Sequence, residues 1–201
     1  MRRAVFLDKD GTLVEDDPPN TDTSRVRFYP DVFGALRVLK QAGYALIVVT
    51  NQSGIAQGRC TEADVCRMQA YVQRRLAHED LALDGFYYCP HDADGIASPY
   101  AVQCECRKPR AGLLLAGARD LGIDLAQSWM VGDILHDIEA GRAAGCRTVL
   151  VNNGHETEWR LTQHRRPDHI VPTLLDAARL IASFKARTPT GTMTEAREEC
   201  R

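Results

Sequence analysis

Ala4-Val5-Phe6-Leu7-Asp8-Lys9-Asp10-Gly11-Thr12 joins four consecutive apolar residues directly to a polar turn that carries two carboxylates. An unbroken apolar run, unlike an alternating one, marks a strand buried on both faces. Ala45-Leu46-Ile47-Val48-Val49 repeats the pattern and runs into Thr50-Asn51-Gln52-Ser53-Gly54. Phe86-Tyr87-Tyr88, Trp129-Met130-Val131, Thr148-Val149-Leu150-Val151 and Ile170-Val171 are shorter runs of the same kind. Helical periodicity fills the spaces between them, over residues 31–41, 61–79, 111–121, 134–144 and 173–184. Thr61 with Asp64 forms a variant capping box at the start of the second, and Gly43, Gly122 and Gly145 stop three of the others. Strand–helix alternation at this spacing implies right-handed crossovers and an α/β, Rossmann-like, mostly parallel sheet with helices on both faces.

Outside that pattern lie three segments. Residues 15–29 are polar and include Pro18-Pro19-Asn20, the mark of an irregular surface loop. Residues 89–110 show no periodicity, too long for an ordinary connection unless something pins it. Residues 185–201, rich in Thr, Glu and Arg, read as a disordered tail, leaving 1–184 as a single domain. No insertion is long enough to fold as a separate cap, so the domain is expected to be capless.

Composition narrows the function classes. The 201 residues are 44% hydrophobic and 26% charged, with 25 Lys+Arg against 27 Asp+Glu and a net charge of −2. That balance speaks against a nucleic-acid partner gripped through a broad basic face. The longest apolar run, over residues 44–49, is far below the roughly 20 residues of a membrane helix. Met1-Arg2-Arg3 begins like a signal peptide, but Asp8 interrupts the apolar stretch after four residues, so a cytoplasmic protein is expected. Seven cysteines, an odd number, do not suggest a disulfide framework.

In parallel sheets, ligands bind beyond the carboxyl ends of the strands. Asp8 and Asp10 follow the first run, Thr50 and Asn51 the second, and Gly132-Asp133 the fourth, with Asp137 one helical turn later. Asp8, Asp10 and Asp133 therefore converge at one edge, where their mutual repulsion calls for a cation. Oxygen donors at an open edge favour a hard ion, and Mg²⁺ is the default. A carboxylate there is also a nucleophile for phosphorus.

Cys89-x-His91 and Cys104-x-Cys106 are separated by twelve residues and supply four ligands of the type Zn²⁺ prefers. Three thiolates and a histidine complete a tetrahedron, so the ion would be structural and would order the long loop. Arg107 and Lys108 follow the last cysteine and would be fixed with it. Cys60, Cys66 and Cys146 read as ordinary thiols and Cys200 as a tail residue.

Taken together, Asp8-Lys9-Asp10-Gly11-Thr12, Thr50-Asn51-Gln52-Ser53-Gly54-Ile55, Lys108-Pro109 and Gly132-Asp133 with Asp137 resemble, in order, the four motifs of the haloacid dehalogenase superfamily. Within it, Tyr87-Tyr88-Cys89-Pro90-His91 and Cys104-Glu105-Cys106-Arg107-Lys108-Pro109 are similar to the small capless phosphatases of heptose bisphosphate or histidinol phosphate. The resemblance implies that Asp8 attacks the phosphoryl group and that Asp10 acts as general acid and then base. It implies that Mg²⁺ binds the Asp8 and Asp133 carboxylates and the Asp10 main-chain carbonyl, while Thr50 and Lys108 hold the phosphoryl oxygens. Asp16, Asn51, Gln52, Ser53 and Arg107 are the expected substrate contacts, Arg107 toward a second phosphate. Asp137 could orient Lys108, orient a metal-bound water, or cap its own helix.

The expected activity is removal of the 7-phosphate from a D-glycero-D-manno-heptose 1,7-bisphosphate, by a monomer with an open site. Histidinol-phosphate phosphatase, another small sugar phosphatase, a polynucleotide 3′-phosphatase and a zinc-organised binding module are the alternatives. Two departures bear on substrate choice. Asp16-Asp17-Pro18-Pro19-Asn20-Thr21 stands where the heptose enzymes have a Gly-Tyr-Val-like segment, and Ile134 stands where Lys is expected.

Overall fold

A computed structural model describes residues 1–17 and 21–184. Pro18, Pro19, Asn20 and the tail expected at 185–201 lie outside the described residues. Six strands form one parallel sheet: β1 (Ala4–Leu7), β2 (Ala45–Asn51), β3 (Gly85–Cys89), β4 (Trp129–Gly132), β5 (Arg147–Val151) and β6 (His169–Val171). Their order is β3-β2-β1-β4-β5-β6, with every neighbouring pair parallel. The helices are α1 (Val32–Gln41), α2 (Glu62–Ala77), α3 (Gly112–Leu121), α4 (Leu135–Ala143) and α5 (Leu174–Ser183). A 3₁₀ turn at Leu125–Gln127, capped by Asp124, has no counterpart in the apolar periodicity.

The chain moves outward from β1 to β3, then returns to β4 on the other side of β1. Right-handed crossovers therefore place α1 and α2 on one face and α3 and α4 on the other, and α5, after β6, returns to the face of α1. Strand residues alternate between two cores. Val5, Leu7, Leu46 and Val48 pack with α1, α2 and α5, whereas Ala4, Phe6, Ala45 and Ile47 pack with α3 and α4. Burial on both sides explains why these strands read as continuous apolar runs. The predicted capping box is present, with the Thr61 side chain accepting from the Asp64 amide and the Asp64 carboxylate accepting from the Thr61 amide.

The reversal of strand order at β1 and β4 opens a crevice at their carboxyl ends, which is where Asp8 and Asp133 emerge. Residues 15–29 are more ordered at their base than an irregular loop: Val14 bridges Phe28, and Glu15 N donates to Arg27 O at 2.9 Å. Among the described residues no helix is long and apolar enough to cross a membrane.

Candidate active site

Asp8 is the first residue past β1, and its amide still donates to Val131 O at 3.0 Å. The nucleophile candidate is thus held by the sheet itself rather than by a mobile loop. Lys108 reaches it from the other side: its Nζ donates to Asp8 Oδ1 at 2.5 Å and to Asp137 Oδ1 at 2.6 Å. All three side chains are buried. Asp8, Asp133 and Asp137 each offer a carboxylate oxygen within 4.8 Å of the others.

This crowding sets the electrostatics. Burial pushes the Asp8 carboxyl up to about 6 despite the Lys108 charge beside it. Asp133 is pushed up to about 9 by burial and then by the charges of Asp8 and Asp137. Burial would lower Lys108, but the two carboxylates outweigh it and hold the ammonium charged. One ammonium serves Asp8 and Asp137, while Asp133 is met by the Thr12 hydroxyl at 3.2 Å and His155 Nδ1 at 2.7 Å. An all-oxygen cluster with this surplus of negative charge suits a hard divalent cation.

Asp137 does two of the things its position allowed. Its Oδ1 accepts from Lys108, and its Oδ2 accepts from the Ile134 amide at 3.3 Å, capping α4. Gly132 makes this possible, because a Cβ there would run into the Asp137 carboxyl group.

The second cluster lies at the end of β3. Cys106 Sγ is 3.2 Å from both Cys89 Sγ and Cys104 Sγ, which are 3.5 Å apart. His91 Nδ1 lies 3.4 Å from Cys106 Sγ and 3.7 Å from Cys89 Sγ. These separations are far longer than a disulfide bond of about 2.05 Å. They approach the edge of about 3.7 Å that a tetrahedron with a metal–sulfur bond of about 2.3 Å requires. Burial pushes the Cys89 thiol up, so a thiolate at that position needs a cation beside it. The four residues fit a closed, thiolate-rich metal centre.

A family model of HAD-hydrolase-like proteins matches residues 105–177. A D-glycero-β-D-manno-heptose-1,7-bisphosphate 7-phosphatase of Haemophilus influenzae is 39% identical over 186 residues, covering 92% of this chain and all of the relative. The chain belongs to the haloacid dehalogenase-like phosphatases. The Escherichia coli K12 protein of the same description is 45% identical over 152 residues, 75% of this chain and 80% of its own. The phosphatase also overlays the crystal structure of D,D-heptose 1,7-bisphosphate phosphatase from B. bronchiseptica, complexed with magnesium and phosphate. That match has a TM-score of 0.74 and 28% identity, over 89% of this chain and 97% of the other.

Some residues of the phosphatase expected at the substrate are committed elsewhere. Asn51 closes on the Lys108 backbone, accepting from its amide at 3.0 Å and donating to its carbonyl at 3.1 Å. Gln52 Nε2 donates to Asp10 Oδ2 and to Thr50 Oγ1, each at 3.0 Å. Both amides therefore align other site residues rather than reach outward. Asp10 also pairs with the buried Lys9, and burial pushes its carboxyl up. Arg107 donates to His91 O at 3.1 Å and Asp92 Oδ2 at 3.4 Å, bracing the Cys/His loop. Ser53 is half-buried and Asp16 exposed.

Residues not singled out from the sequence also belong to the phosphatase's site. Lys9, Thr12 and His155 touch its carboxylates, and the Tyr29 phenol is pushed up by burial and by the Asp133 charge. His155 had a usable signal: Asn152-Asn153-Gly154-His155 follows β5 at the same sheet edge.

Proposed function

We propose that the phosphatase hydrolyses the 7-phosphate of D-glycero-β-D-manno-heptose 1,7-bisphosphate through a phosphorylated Asp8. The observation that supports the chemistry best is Lys108 Nζ shared between Asp8 and Asp137 at 2.5 and 2.6 Å. It places a fixed ammonium at the nucleophile, where charge develops on the phosphoryl oxygens. The substrate assignment is supported by the descriptions of the Haemophilus and Escherichia relatives.

In the first half-reaction an Asp8 oxygen bonds to phosphorus as the bond to the sugar oxygen breaks, and Asp10 delivers its proton to that oxygen. In the second, water attacks phosphorus, Asp10 takes its proton, and the Asp8–phosphorus bond breaks to give inorganic phosphate. Lys9 and Gln52 aim the Asp10 carboxyl for both transfers. Lys108 and Thr50 bind the transferring oxygens. Asp8, Asp133 and the Asp10 main-chain carbonyl would hold Mg²⁺, which when bound neutralises charge on the phosphoryl group.

Cys89, His91, Cys104 and Cys106 would hold Zn²⁺ and keep the loop that carries Arg107 and Lys108 in place. Arg107 is assigned to the second phosphate, steadied by Asp92. The unit is a capless monomer spanning residues 1–184, with an open site suited to a small soluble substrate and no role for nucleic acid or membrane. A reducing cytoplasm suits its six described cysteines, none of which is in a disulfide.

Phosphate release at fixed Mg²⁺ tests the reading. The β-heptose bisphosphate should exceed the α anomer and histidinol phosphate by more than tenfold in kcat/KM, about 1.4 kcal/mol of transition-state discrimination. Preference for histidinol phosphate would overturn the substrate, and full activity in a folded Asp8→Asn variant would overturn the mechanism. That variant should lose roughly 10⁴-fold or more in kcat.

A further inference from the structure

The connection after β5 touches three separate parts of the carboxylate site. Asn153 Nδ2 donates to Gly11 O at 2.6 Å, fixing it to the turn that carries Asp10 and Thr12. Glu156 Oε2 accepts from the Leu135 amide at 2.6 Å, fixing it to the first residue of α4. Between these anchors, His155 Nδ1 hydrogen-bonds Asp133 Oδ2 at 2.7 Å, as the donor whenever Asp133 is ionised.

The packing leaves little room for another arrangement. Gly11 has φ +82°, and a Cβ there would overlap both the Asp133 carboxyl group and the His155 ring. Thr12 holds the other Asp133 oxygen at 3.2 Å, so the carboxyl group is gripped at both ends by donors from two different connections. The His155 side chain is itself 34% exposed, while Asp133 is buried. The imidazole therefore closes the solvent side of the carboxylate.

We propose that His155 is the positioning residue for Asp133 and sets the affinity of the site for its divalent cation. This rests on the reading of Asp8 and Asp133 as cation ligands. Outer partners that fix a ligand's orientation typically change metal affinity by about 10–100-fold when removed. Here the partner acts by holding one oxygen, so that the remaining lone pairs of Asp133 point in a fixed direction before the cation arrives. Asn153 and Glu156 keep the imidazole from following the carboxylate if it turns.

The test measures Mg²⁺ binding to the metal-free carboxylate site by titration calorimetry, with Mn²⁺ paramagnetic resonance as a second probe. His155→Ala should weaken binding by about tenfold or more. His155→Asn, whose Nδ2 takes the place of Nδ1, should remain within about threefold of the parent protein. In assays, the Mg²⁺ concentration for half-maximal rate should rise with the dissociation constant, while kcat at saturating Mg²⁺ falls by less. Circular dichroism checks that both variants are folded, as substitution on an exposed connection allows. Mg²⁺ affinity in His155→Ala equal to or tighter than the parent's overturns the proposal, as does an Asn variant no better than Ala. Asp133→Asn separates the two levels. Its loss of binding alongside an unaffected His155→Ala sinks only the role of His155, whereas unchanged binding in Asp133→Asn sinks the cation site as well.

Discussion

The carboxylate cluster and the Cys/His loop share one edge of the sheet but are held in place by opposite means. Asp8 and Asp133 stand one residue beyond the ends of β1 and β4, and Thr50 is the penultimate residue of β2, so ladder hydrogen bonds fix their backbones before any side chain acts. The segment from Cys89 to Lys108 leaves the sheet and contains no helix or strand after β3. Its order comes from four side chains and a few cross-links, such as the Ile96 and Ala97 amides donating to Ala56 O at 2.8 Å each. The two regions meet at Lys108, whose ammonium belongs to the carboxylates and whose backbone belongs to the loop. The ammonium beside Asp8 is therefore delivered by the segment with the least order of its own. Asn51, in register with Cys89 at the end of β2, grips the Lys108 backbone and joins the two.

Lys108→Met attacks the junction itself and has the largest expected effect among changes that test how the two regions are joined. It removes the ammonium and leaves Asp8 and Asp137 buried without it. Breaking a buried ion pair in this way costs about 3–5 kcal/mol, and losing one positioned transition-state donor costs about 10²–10³-fold in kcat. Denaturant unfolding and steady-state kinetics should show both losses together. A variant as stable as the parent would mean that the cluster does not depend on this cation.

Removing the loop's proposed Zn²⁺ with a thiol-avid chelator separates the regions by a smaller margin. Hydrogen exchange should quicken across residues 90–108 while the amides of β1, β2 and β4 stay protected. Activity should fall about 10–100-fold rather than vanish, because Asn51 still grips Lys108 from the sheet. Exchange that spreads into β1 would show that the two regions are one cooperative unit.

The same division explains what the sequence made legible. Strands buried on both faces are continuous apolar runs, and a residue at a fixed offset past such a run must emerge at the carboxyl edge. That places Asp8, Thr50 and Asp133 without any knowledge of packing. The Cys/His set was legible for a different reason, namely that few other uses exist for three thiols and an imidazole in one long loop. Side-chain destinations were harder. Asn51 and Gln52 sit where a substrate contact is reasonable, yet their partners come from Lys108 and Asp10, far along the chain. Only the register of β2 against β3 decides that Asn51 faces Lys108. Asp137 combined two alternatives because Gly132 leaves room for its carboxyl group, whose Oδ2 caps the Ile134 amide while its Oδ1 reaches Lys108. His155 escaped notice because its role depends on Gly11, a residue 144 positions earlier whose missing side chain is the relevant feature.

The finest probe concerns how the loop is clipped to the helix beside it. Tyr88 and Tyr100 both donate to Glu62, at 2.9 and 2.6 Å, tying the start and the middle of the loop to the first turn of α2. The Tyr100 hydrogen bond, followed by that of Tyr88, draws the Glu62 carboxyl below its ordinary value of 4.5. A carboxyl group lowered on folding contributes stability above its unfolded value, and that contribution is lost as pH falls through the lowered folded value. The clip should therefore be intact at neutral pH and release only below about pH 4.5. Glu62 is exposed, so the consequence is local rather than global. Glu62→Gln should speed exchange of the Ile96 and Ala97 amides by a few-fold, roughly, at neutral pH and remove its acid dependence, with kcat nearly unchanged. A large loss of kcat in that variant would mean that the clip, and not the metal centre alone, governs where Lys108 sits. The carboxylates and the loop would then differ in construction but not in how strongly each depends on the surrounding fold.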